Sequence, residues 1–226
     1  MNKSTVLILR WVGYGLLLLT LFDFISTLVP LRFQNPFWEF QTLGTLVERV
    51  PVPLLGLALV FFGEADFRED EDWEIMLLKC LSWLCLLLGL LYLLLIPLGI
   101  HNTVRISIYN EQIINTQLDR RISQIEQRKE QLNTATAENI KELWLGFNRP
   151  EPLPDIQTPQ KLEEAKKQMF SFLAEAEVNF KKDVETNRAD QQFNLLKNSG
   201  KWNLGALISG VFFLRLWWLS RWARRL

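Results

Sequence analysis

Apolar residues in this chain gather into blocks separated by charged stretches, and the blocks define its elements. Val6 to Val29 is predominantly apolar, interrupted by Arg10 near one end and Asp23 nearer the other. Ile75 to Ile100 is a second such block, with Lys79 at its start and Pro97 near its end. Asn203 to Leu219 is a third and shorter one. A helix needs about 20 such residues to cross the hydrocarbon core of a bilayer, so each block predicts a span, the third with its flanks. Val50 to Gly63 is about 14 residues and falls below that length. It predicts a fourth span that thins the bilayer, a span that begins earlier at Leu43, or a re-entrant segment. A full span is favoured because the flanking charges then agree.

Between residues 101 and 200 the pattern changes from blocks to stripes. Apolar positions Ile106, Ile113, Ile114, Leu118, Ile122, Ile125, Leu132, Ile140 and Leu143 recur at helical spacing. A second stripe runs Leu162, Ala165, Met169, Phe172, Leu173, Ala176, Phe180, Val184, Phe193 and Leu196. The segment 148–159 between them holds four prolines, which end a helix. Thr158 then offers an N-cap hydroxyl, and Pro159 suits the first helical position. Two helices of about 40 residues each, one leaving the third span and one entering the fourth, must return to the same surface. An antiparallel hairpin meets that requirement. A compact bundle broken at Gly146, at Thr134 to Ala137 or at Asn187 to Ala189 is the alternative. The expected fold is therefore an all-α integral membrane protein. Residues 1–100 carry three spans (about 6–29, 50–63 and 75–100) and an interfacial segment 33–49. Residues 101–200 form an extramembrane helical hairpin, and 201–226 form the fourth span with a basic C-terminus.

Basic residues orient these spans. With both termini inside, Lys3, Arg10, Arg68, Arg215, Arg221, Arg224 and Arg225 are cytoplasmic, and only Arg32 and Arg49 lie in the short outer loop. Residues 101–200 are then periplasmic or lumenal. Trp11, Trp73, Trp217, Trp218 and Trp222 fall at the inner interface, with Trp38 and Trp202 at the outer one. The N-terminus is basic then apolar without a small-residue cleavage site, which predicts an uncleaved signal anchor.

Composition removes several classes of chemistry. Lys plus Arg and Asp plus Glu are 25 each, which gives no reason to expect nucleic acid. Cys80 and Cys85 stand five apart in an apolar helix, pointing away from each other, so neither a disulfide nor a metal pair is expected. His101, the single histidine, has no ligand cluster around it, and no nucleotide, nucleophile or zinc motif occurs. No catalytic residue and no cofactor is expected. Glu163 and Glu164 beside Lys166 and Lys167 read as a solvated helix face. An ionisable residue inside a span is a candidate functional group, which singles out Asp23. Arg49 enters from the same surface, so an Asp23–Arg49 ion pair is expected, and transport through Asp23 is the alternative. Lys79 snorkels.

The least ordinary local sequence is Asn35-Pro-Phe-Trp-Glu-Phe-Gln followed by Leu46-Val-Glu-Arg-Val-Pro-Val-Pro. Its prolines hold the backbone extended at the mouth of a span. Phe37, Trp38 and Phe40 suit an interfacial helix or a docking surface for another subunit. This stretch, with the run RWVGYGLLLL before it, resembles the HpsJ-like membrane proteins of cyanobacteria. The resemblance is close over about 10–64 and agrees in layout beyond. It implies a cyanobacterial plasma or thylakoid membrane and a non-enzymatic role linked to polysaccharide secretion and gliding. Trp38, Glu39, Gln41, Glu48, Arg49, Pro51 and Pro53 are the matching positions. The resulting expectation is an accessory or scaffold subunit that meets lipid, other membrane subunits or a second copy through its helical arm. The alternative is a component of an export machinery.

Overall fold

The computed structural model describes residues 3–62, 72–136, 138–140 and 159–225, and among these every regular element is helical. Helix α1 spans Lys3–Leu28, α2 Pro36–Arg49, α3 Pro51–Val60, α4 Asp72–Thr134 and α5 Pro159–Leu219, followed by a 3-10 turn Ser220–Arg224. Helices α1, α4 and α5 are each long and apolar enough to cross a membrane. The α2–α3 pair, bent by 41°, makes a fourth candidate when counted as one span. Helix α3 alone has 10 residues.

Local sequence explains the short pair. Asn35 Oδ1 accepts hydrogen bonds from the backbone N–H groups of Phe37 (3.0 Å) and Trp38 (3.3 Å), and Pro36 occupies the first turn of α2. Glu39 in the first turn and Arg49 in the last complement the helix dipole. The helix stops because Pro51 and Pro53 have no N–H to donate, and the chain restarts at once as α3 with a changed axis.

The described chain forms two compact units, Met1–Ser107 with Asn194–Leu226, and Ile108–Phe193. In the first unit, Leu43, Val47, Leu57, Tyr92 and Phe213 form the centre of the packing. Small residues set the helix approaches. A Cβ on Gly13 of α1 would stand 2.8 Å from the Gly56 carbonyl oxygen of α3, so the two backbones touch. Phe40 is 6% exposed and packs on the Trp202 ring at 4.6 Å, so the apolar face expected to meet the interface meets α5 instead.

In the second unit, the α4 and α5 segments pair with opposite sense. Glu111 Oε1 accepts from Gln192 Nε2 (3.0 Å), Asn115 Oδ1 from Arg188 Nη2 (2.6 Å), and Lys129 Nζ meets Glu177 Oε2 (2.7 Å). Ile125, Leu132 and Ile140 pack with Ala165, Met169 and Leu173. Of the candidate breaks, 135–136 is non-helical while α5 runs unbroken through Asn187 to Ala189. Gly146, Leu143, Thr158, the proline-rich segment before Pro159 and Arg68 lie outside the described residues.

Candidate functional site

The conspicuous motif positions lie on α2 and α3, and three of them reach a different helix each. Glu48 Oε1 accepts from Lys201 Nζ (2.6 Å) and Trp202 Nε1 (3.1 Å) on α5. Arg49 Nη1 stands 3.0 Å from Asp23 Oδ1 on α1. Glu39 Oε2 stands 3.9 Å from Arg105 Nη1 on α4, while its other oxygen accepts from the Gln34 N–H at 3.0 Å. The short helix is thus tied by charge to all three long ones. Trp38 packs edge-on against Phe33 at 5.6 Å, and Gln41 is exposed. Pro51 is exposed and Pro53 buried.

The bend between α2 and α3 would strand backbone acceptors. Val50 N–H turns to the Val47 carbonyl (3.3 Å) rather than continuing the helical pattern to Leu46. Tyr92 of α4 supplies the missing donor: its hydroxyl donates to the Leu46 carbonyl at 3.1 Å. The Tyr92 ring stacks on Phe213 of α5, with centroids 5.6 Å apart and planes 15° apart. Gly44 completes the contact, because a Cβ there would overlap the Trp202 indole. Neither Tyr92 nor Lys201 stood out in the sequence. A lone phenol in the run Leu-Leu-Tyr-Leu-Leu-Leu was the available signal, since a buried hydroxyl needs a partner.

The bend also leaves a cleft in the first unit, lined by Asp23 and Arg49 together with Leu46, Val52, Tyr92 and Phe213 among others. Lower polarity is not the rule elsewhere in this unit. Arg10 is 6% exposed and stands 3.7 Å from Glu74, with its Nε and Nη2 left without a hydrogen-bond partner. Midway along α4, Thr103 Oγ1 donates to Ser199 Oγ at 2.8 Å. His101 is exposed, and among the described residues no His, Cys, Asp or Glu group could hold a metal ion. Cys80 is exposed and Cys85 buried, and both are free thiols. Lys79 belongs to the first turns of α4 and is half-buried.

The second unit changes character along its length. Around Ile125 and Met169 its seam is apolar. Between Val184 and the end of the unit at Phe193, the half-buried positions of α5 are Arg188 and Gln192, at four-residue steps. The apolar residues are displaced outward: Phe193 is 66% exposed, and Ile108 and Ile113 on α4 are exposed too. Phe193 and Leu196, expected in the inner stripe, therefore lie on the outside. Deeper in the unit, Glu177 bridges Lys129 and Lys181, at 2.7 Å and 2.6 Å. The hydrogen bonds from Lys129 and then Lys181 hold its carboxyl far down, at about 2.

No curated protein and no solved structure gives a significant match. A family model described as HpsJ-like protein matches residues 4–221, nearly the whole chain, and the chain therefore belongs to the HpsJ-like family.

Proposed function

We propose that this protein is a non-enzymatic scaffold subunit of a membrane assembly, anchored by four spans and offering a helical hairpin as its interaction arm. The inverted segment of the second unit carries this reading: polar side chains fill the seam while Ile108, Ile113 and Phe193 face outward. Exposed apolar side chains that cost nothing to the internal pairing mark a surface for another helix. A spacer would have buried them. The opposite-sense pairing of Glu111 with Gln192 and Lys129 with Glu177 supports the hairpin. Three long apolar helices and the bent α2–α3 pair support four spans; that the membrane is a plasma or thylakoid membrane rests on the family resemblance alone. The basic flanks support cytoplasmic termini and an arm on the opposite side. Segment 33–49 acts chiefly as an internal brace on this reading, and Trp38 and Gln41 are the positions left to meet a neighbour.

The test is a photo-crosslinking residue at Phe193 or Ile113 in the full-length protein in its native membrane, compared with one at Glu163. Discrete adducts from the first two sites alone are the expected outcome. Adducts at Glu163 as readily, or none anywhere, overturn the arm as an interaction surface.

A further inference from the structure

The α2–α3 bend leaves a cleft whose two ends differ in chemistry. Leu46, Leu88, Tyr92 and Phe213 make its inner surface, with Val52 and Pro53 at the side. The Tyr92 hydroxyl is already committed to the Leu46 carbonyl, so the inner surface offers almost no hydrogen bonding. At the rim, Asp23 and Arg49 meet at 3.0 Å, with side chains 61% and 49% exposed. The enclosed space is about 60 Å3. That is far below the roughly 300–1,000 Å3 of pockets that engulf a small molecule. The occupant is therefore one stretch of a longer molecule whose remainder stays outside.

Position selects a lipid. Asp23 stands five residues before the end of α1 at Leu28, which is about 8 Å along the axis. In a spanning α1 this is the depth where a lipid headgroup meets its chains. The rim also selects the head. One contact occupies a single donor of the five on Arg49 and one of the roughly four acceptor sites on Asp23. The rest of both groups opens outward. The pair is electrically neutral, so an anionic head gains from Arg49 but is repelled by a carboxylate beside it. A cationic head has the reverse difficulty. A sugar hydroxyl donates to the carboxylate and accepts from the guanidinium, and so bridges the closed pair without separating it.

We propose that this cleft binds a neutral glycosyl diacylglycerol, with sugar hydroxyls on Asp23 and Arg49 and one acyl chain along Leu46, Leu88, Tyr92 and Phe213. The proposal rests on the membrane placement of α1 and α4, not on the scaffold role.

Native mass spectrometry of the full-length protein in mild detergent tests it. Equal amounts of a diglycosyl diacylglycerol, a phosphatidylcholine and a phosphatidylglycerol with identical chains are added to delipidated protein. One glycolipid adduct should persist at collision energies that strip the others. Asp23→Asn and Arg49→Gln should each lower its occupancy about tenfold, equivalent to about 1.4 kcal/mol. Val52→Trp, which fills the side of the cleft and leaves the ion pair intact, should remove it as well. Equal retention of phosphatidylcholine or phosphatidylglycerol overturns the recognition of a neutral sugar head. Retention of the glycolipid by Val52→Trp overturns the cleft as its site. Carbonate extraction of the same protein from membranes separates the two failures: release into the soluble fraction overturns the membrane placement and the site together, whereas resistance without a glycolipid adduct overturns the site alone.

Discussion

Replacing Tyr92 by Phe removes one oxygen and leaves the ring stacked on Phe213. The oxygen lost is the donor to the Leu46 carbonyl at 3.1 Å, in a cluster where Tyr92 is 4% exposed. A buried acceptor left without a donor costs about 1–3 kcal/mol. Hydrogen bonds between membrane helices average only about 0.6 kcal/mol, with an upper end near 1.7. About 1 kcal/mol is the consistent expectation. For a chain of this size that lowers the midpoint of thermal unfolding by about 2–4 °C, measurable by intrinsic fluorescence in detergent. The Pro51→Ala background isolates the role of the hydroxyl at the bend. An alanine at 51 restores an N–H for the Val47 carbonyl, releasing the Val50 N–H to continue the helical pattern to Leu46. Tyr92→Phe should then cost close to nothing. If it costs the same with and without Pro51, the hydroxyl does not serve the bend.

Gly44→Ala should displace the Trp202 indole and break its hydrogen bond to Glu48. Overpacking of this kind costs about 1–3 kcal/mol, and pairing it with Trp202→Leu should recover most of the loss in the unfolding midpoint. Leu132→Ala, at a residue 1% exposed, should cost about 2–5 kcal/mol. Phe193→Ala should change stability by under about 0.5 kcal/mol while reducing partner capture from native membranes. Glu177 has its carboxyl lowered from 4.5 to about 2, chiefly by Lys129. A depressed carboxylate stabilises the fold at pH above its unfolded value, and loses that contribution as pH falls. The difference in unfolding midpoint between the wild type and Glu177→Gln should be constant from about pH 5 to 8 and shrink between 4.5 and 2. A difference that persists at the acid end contradicts the assignment.

The helical class and the long apolar helices were legible because period and block length act locally. The prolines at 51 and 53 were expected to hold the backbone extended. Instead Val50 is helical and Pro51 opens α3, because a proline fits the first turn of a helix, where its missing N–H costs nothing. What escaped the sequence depended on distant partners. An amphipathic α2 faces lipid or protein with equal ease, and distant partners on α4 and α5, among them Tyr92, Phe213 and Trp202, decide for protein. On α5 the expected stripe matches the buried and half-buried positions as far as Val184, whereas Ile113 of the α4 stripe is exposed. Beyond Val184 the seam passes through Arg188 and Gln192, because a polar pair with Asn115 and Glu111 fills it as well as an apolar one. Asp23 was conspicuous as an acid within an apolar run. Its cleft was not, since a cavity belongs to the spaces between helices rather than to any of them.

The charged ties of α2 also impose an order in time. A chain is made from its N-terminus at about 5–20 residues per second. Glu48 and Lys201 are 153 positions apart, so the carboxylate waits about 8–30 s for its partner. Tyr92 arrives earlier, only 46 positions after Leu46. The bend is therefore secured by α4 first and latched by α5 last. A nascent or truncated product that stops before Lys201 carries an unanswered charge on Glu48 and a bare glycine groove at Gly44. That patch is covered only once Lys201 and Trp202 have been made.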